Sequence, residues 1–144
     1  MSEIIVAYWS GTGNTEAMAQ FVGKGITDAG KSAQVVSVSD ISPDDLKGCA
    51  VFALGCPSMG SEELEDTEME PFVEAVESFA AGKKIGLFGS YGWGDGEWMR
   101  TWVQRMQDAG AFIIGDEGVI CNEAPDETAG AECEALGAAL AAAL

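Results

Sequence analysis

The fold class predicted for this chain is α/β: a three-layer sandwich with a parallel sheet between two layers of helices. Two observations carry that expectation. Apolar runs alternate with helix-period segments along the whole chain. The runs are also rich in Val, Ile and Phe with little polar alternation, as strands covered on both faces are. Strands separated by helices pair in parallel through right-handed crossovers.

The strands are expected at "EIIVAYW" (3–9), "AQVVSV" (33–38), "CAVFALG" (49–55), "KKIGLFGS" (83–90) and "GAFIIGDEGVIC" (110–121). The first helix should run from about Thr15 to Ala29, with Met18, Val22, Ile26 and Ala29 on one face and Gly30 as its stop. A short second helix follows Pro43. The third spans about Glu68 to Ala80 with a stripe of Met69, Phe72, Val73, Val76 and Phe79. The fourth covers about Glu97 to Ala109 and is stopped by Gly110. The last, about Glu127 to Leu144, places Cys133, Leu136, Leu140 and Leu144 at helical spacing. With no repeat, linker or composition break, residues 1–144 are expected to form one domain.

Composition narrows the function classes. The chain has no histidine, which removes Ser-His-Asp and Cys-His catalysis and imidazole-bound metal. Its four cysteines show no metal-ligand spacing, so neither a metal site nor a catalytic residue is expected. Reduced thiols, no membrane-length apolar stretch and no basic-then-apolar leader point to the cytoplasm. A net charge of −17 repels nucleic acid and anionic lipid and attracts a basic partner surface.

Three loops at the carboxyl edge of the sheet carry the chemistry, since ligands of such sheets bind there, where the strand order reverses. In "SGTGNT" (10–15), Gly11 and Gly13 let successive N–H groups point inward, while Ser10, Thr12, Asn14 and Thr15 add hydroxyl or amide donors. This is a phosphate cradle without a cation. A Walker loop would need a Lys, and a dinucleotide fingerprint a third glycine where Glu16 stands. In "SYGWGDGE" (90–97), Tyr91 and Trp93 lie among glycines that let a flat ligand approach, whereas Trp98 and Trp102 sit at core spacing. In "CPSMGSE" (56–62), Met59 suits a ring face, the Gly60–Ser61 peptide can rotate at little cost, and Glu62 can accept from a ligand N–H.

The stretches "YWSGTGNTEAMA", "LGCPSMGSEELED" and "GLFGSYGWGDGEWM", in this order and spacing, resemble the motifs of short-chain bacterial flavodoxins, the FMN electron carriers of anaerobes. The likeness covers essentially the whole chain, including "NEAPDE" before the last helix. It implies a five-stranded sheet of order 2-1-3-4-5, and flavodoxin is itself a standing example of the edge-binding rule at the strand-1/strand-3 switch point. It also implies site roles. Ser10, Gly11, Thr12, Gly13, Asn14 and Thr15 would hold the FMN phosphate, and Met59 and Trp93 would cover the two ring faces. Gly60 would turn its carbonyl to flavin N5 once the semiquinone is protonated there, with Ser61 tuning that turn. Glu62 would meet N3–H, and the amides near Tyr91 and Gly92 would meet O2. Trp9, Ser90 and Asn122 would neighbour the ribityl chain or phosphate, and Ser58 joins the cofactor-binding set.

The run "EELEDTEME" holds six acids in nine residues beside the expected ring. One charge at ~10 Å in a watery dielectric is worth about 0.4 kcal/mol, so five or six give roughly 2 kcal/mol, on the order of 0.1 V against a second electron. The function expected is therefore a low-potential one-electron carrier, a monomer that serves redox proteins with basic docking surfaces. The rival is an FMN-dependent NAD(P)H:quinone-type reductase of the same fold, which the compact loops disfavour.

Overall fold

The computed structural model describes residues 3–144. Six strands and four α-helices follow in the order β1 (Glu3–Tyr8), α1 (Asn14–Asp28), β2 (Ser32–Ser37), β3 (Val51–Gly55), α2 (Met69–Glu77), β4 (Lys84–Tyr91), α3 (Glu97–Asp108), β5 (Phe112–Ile113), β6 (Val119–Asn122) and α4 (Glu127–Ala143). All pairings are parallel, in the order β2-β1-β3-β4-β5, with β6 also paired to β4. The α/β sandwich of order 2-1-3-4-5 is thus present.

Successive strand residues serve opposite layers. Ile5, Ala7, Phe52, Leu54, Ile85 and Leu87 pack with α2 and α3, while Ile4, Val6, Val51, Ala53 and Phe88 pack with α1 and α4. Both faces are apolar, which is why the strands read as unbroken hydrophobic runs. The exception is β2. It lies at the sheet edge with only one neighbouring strand, and it is half-buried rather than covered on both sides.

Two expected elements differ. The fifth strand is interrupted: β5 pairs with β4 at Lys84 and Ile85, and β6 pairs with it again from Phe88 to Tyr91. Between them the chain leaves the sheet through Gly115 and Asp116, both left-handed at φ 79° and 66°. The short second helix is a 3-10 turn, Pro43–Leu46, preceded by another at Val38–Asp40. The Ser42 and Asp45 capping box starts the second turn, and there is no room for a longer helix before β3.

Layers α1 and α4 meet closely because glycine faces backbone. A Cβ on Gly137 would stand 2.2 Å from the Val22 carbonyl oxygen, and one on Gly25 would stand 2.0 Å from that of Glu134. Alanine at a helical glycine normally gains about 1 kcal/mol of propensity. Here the clash is with main chain and outweighs that gain. Gly137→Ala is expected to lower the unfolding free energy by about 1–3 kcal/mol in urea denaturation.

Candidate functional site

The loops after β1, β3, β4 and β6 converge at the carboxyl rim because main-chain bonding continues past the strands. Trp9 N–H donates to the Gly55 carbonyl (2.9 Å), Cys56 N–H to Phe88 (3.1 Å), Ser58 N–H to Ser90 (3.0 Å) and Glu123 N–H to Tyr91 (2.8 Å). Asn122 Nδ2 reaches the same Tyr91 carbonyl at 3.3 Å.

The first loop is folded by its own serine. Ser10 Oγ accepts from the N–H groups of Gly13 (3.1 Å) and Glu16 (3.3 Å). Gly13 is left-handed at φ 97° and gives α1 no side-chain cap. The first-turn N–H groups of Asn14 and Thr15 therefore lack an intrahelical acceptor, and the positive end of the helix dipole lies at the rim. Behind them the buried hydroxyls of Thr15 and Ser90 are 3.2 Å apart, tying α1 to β4.

In front lies a cleft of about 270 Å³, lined by Trp9, Gly11, Thr12, Asn14, Pro57, Ser58, Met59, Ser90, Tyr91, Gly92 and Glu123. No Lys or Arg is among these residues. Trp9 and Met59 form the shared wall with a second recess of about 380 Å³ that runs along Gly60, Ser61 and residues 63–66. A groove of about 730 Å³ elsewhere is lined mainly by side chains of α3 together with Glu77, and several of its charges pair with one another. Both of its arginines, Arg100 and Arg105, are already engaged by carboxylates.

Loop 58–63 is a tight turn. Met59 and Glu63 exchange both main-chain bonds (2.8 and 2.9 Å), and the intervening Gly60 and Glu62 have φ 49° and 57°. The Glu62 carboxylate accepts from Glu97 N–H at 2.9 Å, so it caps α3 and lies outside both recesses. Trp93 is 61% exposed and is not part of either lining, whereas Met59 is 36% exposed and belongs to both. Ser10, Gly13, Thr15 and Asn122 stand behind or beside the lining as supports.

The acidic run is largely engaged. Glu62 caps α3, Glu68 Oε1 accepts from Trp9 Nε1 (3.3 Å), and Glu70 makes a two-pronged ion pair with Arg105 at 2.9 and 2.6 Å. Glu65 is buried at 6% exposure and caps α2 by accepting from the amides of Thr67, Glu68 and Met69 (2.9, 2.7 and 2.9 Å) and from the Thr67 hydroxyl. Burial pushes its carboxyl up, but those hydrogen bonds outweigh burial and hold it down at about 2. Of these partners only Arg105 is a cation, so the other acids keep their negative charge at the rim.

A family model described as Flavodoxin matches residues 6–136. The chain belongs to the flavodoxin family. It is 51% identical over 136 residues to the flavodoxin of Megasphaera elsdenii, covering 94% of this chain and 96% of that one. Identity to the flavodoxin of Clostridium beijerinckii is 48%, over 85% and 88% of the two chains. The solution structure of two-electron reduced Megasphaera elsdenii flavodoxin superposes with a TM-score of 0.89, covering 96% of this chain and 98% of that one.

Flavodoxins bind FMN, and the donors present here fit that group. Ser58 Oγ, buried on the cleft wall, has no hydrogen-bond partner among the described residues. An acceptor atom of a bound ligand would satisfy it. Sequence reasoning missed Pro57 and Glu123 in the lining. Glu123 stands at φ 59°, a left-handed conformation that its residue type does not announce.

Glu65→Gln keeps the shape of the α2 cap but removes its charge. It is expected to cost about 1.5–3 kcal/mol at pH 7 in urea denaturation. Because the folded carboxyl titrates below its ordinary 4.5, the parent protein should hold this contribution above pH 4.5 and lose it as pH falls toward 2. The variant should lack that dependence.

Proposed function

We propose that the residues converging on this cleft hold FMN, and that the protein is an electron carrier with no substrate turnover of its own. The observation that carries the reading is the partnerless Ser58 hydroxyl in a cleft of neutral donors. Ser58, Thr12 and the amides of the 11–15 loop would hold the phosphate, with Ser10, Gly13, Asn14 and Thr15 shaping that cradle. Neutral donors suffice because the phosphate is stored; phosphoryl transfer would call for Lys, Arg or a metal ion as charge develops.

Bound FMN supplies one-electron chemistry. Met59 and Trp93 would cover its ring, Trp9, Ser90 and Asn122 would neighbour the ribityl chain, and the amides of Tyr91 and Gly92 would meet the ring edge. The ends of the 59–63 turn are pinned to each other, while the Gly60–Ser61 peptide has no main-chain partner among the described residues. That peptide can present either its C=O or its N–H to a ring atom as the proton there comes and goes. Glu62 would accept a ring N–H with the carboxylate oxygen that does not cap α3.

Flavodoxins shuttle electrons between redox proteins. We place the docking surface of this one on its acidic rim, facing basic partners. Four unpaired cysteines suit a reducing cytoplasm, and a charge of −17 disfavours self-association, which supports a monomer of one domain.

Ser58→Ala is expected to weaken FMN binding roughly tenfold or more while leaving riboflavin binding unchanged, as measured by flavin fluorescence titration. The FMN-loaded protein should oxidise no NAD(P)H unaided. Anaerobic dithionite titration should resolve two one-electron steps with the second at the lower potential. A single two-electron step would count against the Gly60 peptide's role.

A further inference from the structure

Arg100 is placed against the grain of its helix. It belongs to the first turns of α3, Glu97–Asp108, where the positive end of the dipole makes a cation unfavourable. Its guanidinium folds back past the helix start. Nη1 donates to the Asp95 carbonyl (3.0 Å), and Nη2 donates to Asp95 Oδ1 (3.0 Å) and Glu97 Oε2 (3.1 Å). The turn it grips has little else to hold it. Gly94 and Gly96 are left-handed at φ 85° and 93°. Among the described residues, no main-chain-to-main-chain bond involves Gly92, Trp93, Gly94 or Asp95. The ties on this turn are side chains: the Arg100 fork from below, and Glu62, which bonds Glu97 N–H and packs on Gly94. Yet the turn presents Trp93, 61% exposed.

We propose that Arg100 is a positioning residue for the flavin: by gripping Asp95 it fixes where the Trp93 indole stands, and so sets how long FMN stays bound. The proposal rests on the reading that Trp93 covers one face of the ring. A turn already held in place surrenders less freedom when the ring arrives, so the grip acts on dissociation. The forked geometry matters as well as the charge, because a lysine ammonium cannot reproduce the planar guanidinium fork on the Asp95 carbonyl and the two carboxylates.

Two variants of the full chain separate grip from charge: Arg100→Lys keeps the charge without the fork, and Arg100→Met loses both. In the FMN-free protein, backbone ¹⁵N order parameters over residues 92–96 should fall from rigid values to below about 0.6 in both variants, with α1 and α4 unchanged as the control for folding. Because the Arg100 ion pairs are solvent-exposed, stopped-flow dissociation from the FMN-loaded protein should quicken about two- to fivefold in both. Unchanged order parameters over 92–96 would overturn the proposal, as would lowered order parameters with unaltered dissociation. So would an Arg100→Lys protein that matches the parent while Arg100→Met alone differs, since charge would then be the agent. A parent chain that binds no FMN would sink the proposed function instead, while the order parameters would still decide whether the grip exists.

Discussion

Trp9 N–H bonds to the Gly55 carbonyl, and Ser58 N–H to the Ser90 carbonyl, after β1 and β3 have ended as strands. These bonds oblige three loops to leave the sheet side by side. The site depends on that alignment more than on any single side chain. Because β3 and β4 stay in register to Ser58 and Ser90, the unpaired Ser58 hydroxyl, the Thr15–Ser90 pair and the start of α1 face one cleft. Two buried cores hold the strands that fix this register, one on each face of the sheet.

The electrostatics are equally constrained. A chain of net charge −17 lines this cleft with hydroxyls, amides and a helix dipole rather than a cation, and it places a carboxylate, Glu123, there too. The acids of the 62–70 run do structural service while remaining charged: Glu62 and Glu65 satisfy orphan amides at the starts of α3 and α2, and Glu68 holds the Trp9 indole. One set of carboxylates thus builds the rim and charges it, opposing added negative charge on a flavin held there.

Much of this was legible in the residue order. Unbroken apolar runs announced strands covered on both faces, and the helix stripes together with glycine stops located α1, α2, α3 and α4 within a few residues. What escaped depends on contacts between distant segments or on backbone conformations that residue type does not declare. Gly115 and Asp116 break the fifth strand, but an apolar run reads the same with or without a turn inside it. The short second helix proved to be a 3-10 turn because the segment before β3 is brief. In the rim, sequence named most of the lining. It could not show that Glu62 spends one oxygen on α3, that Glu65 turns inward, or that Glu123 takes a left-handed conformation beside the cradle.

Under the proposed function, neutral donors, with no ion pair, hold the phosphate on a strongly acidic protein. Measuring FMN affinity by titration calorimetry from low salt to about 0.5 M tests it most directly, since salt at that level screens charge beyond a few ångströms. Affinity should hold steady or rise with salt, as repulsion between the dianion and the acidic rim is screened. A steep fall would mean that a cation carries the phosphate, and would rule out hold by neutral donors alone.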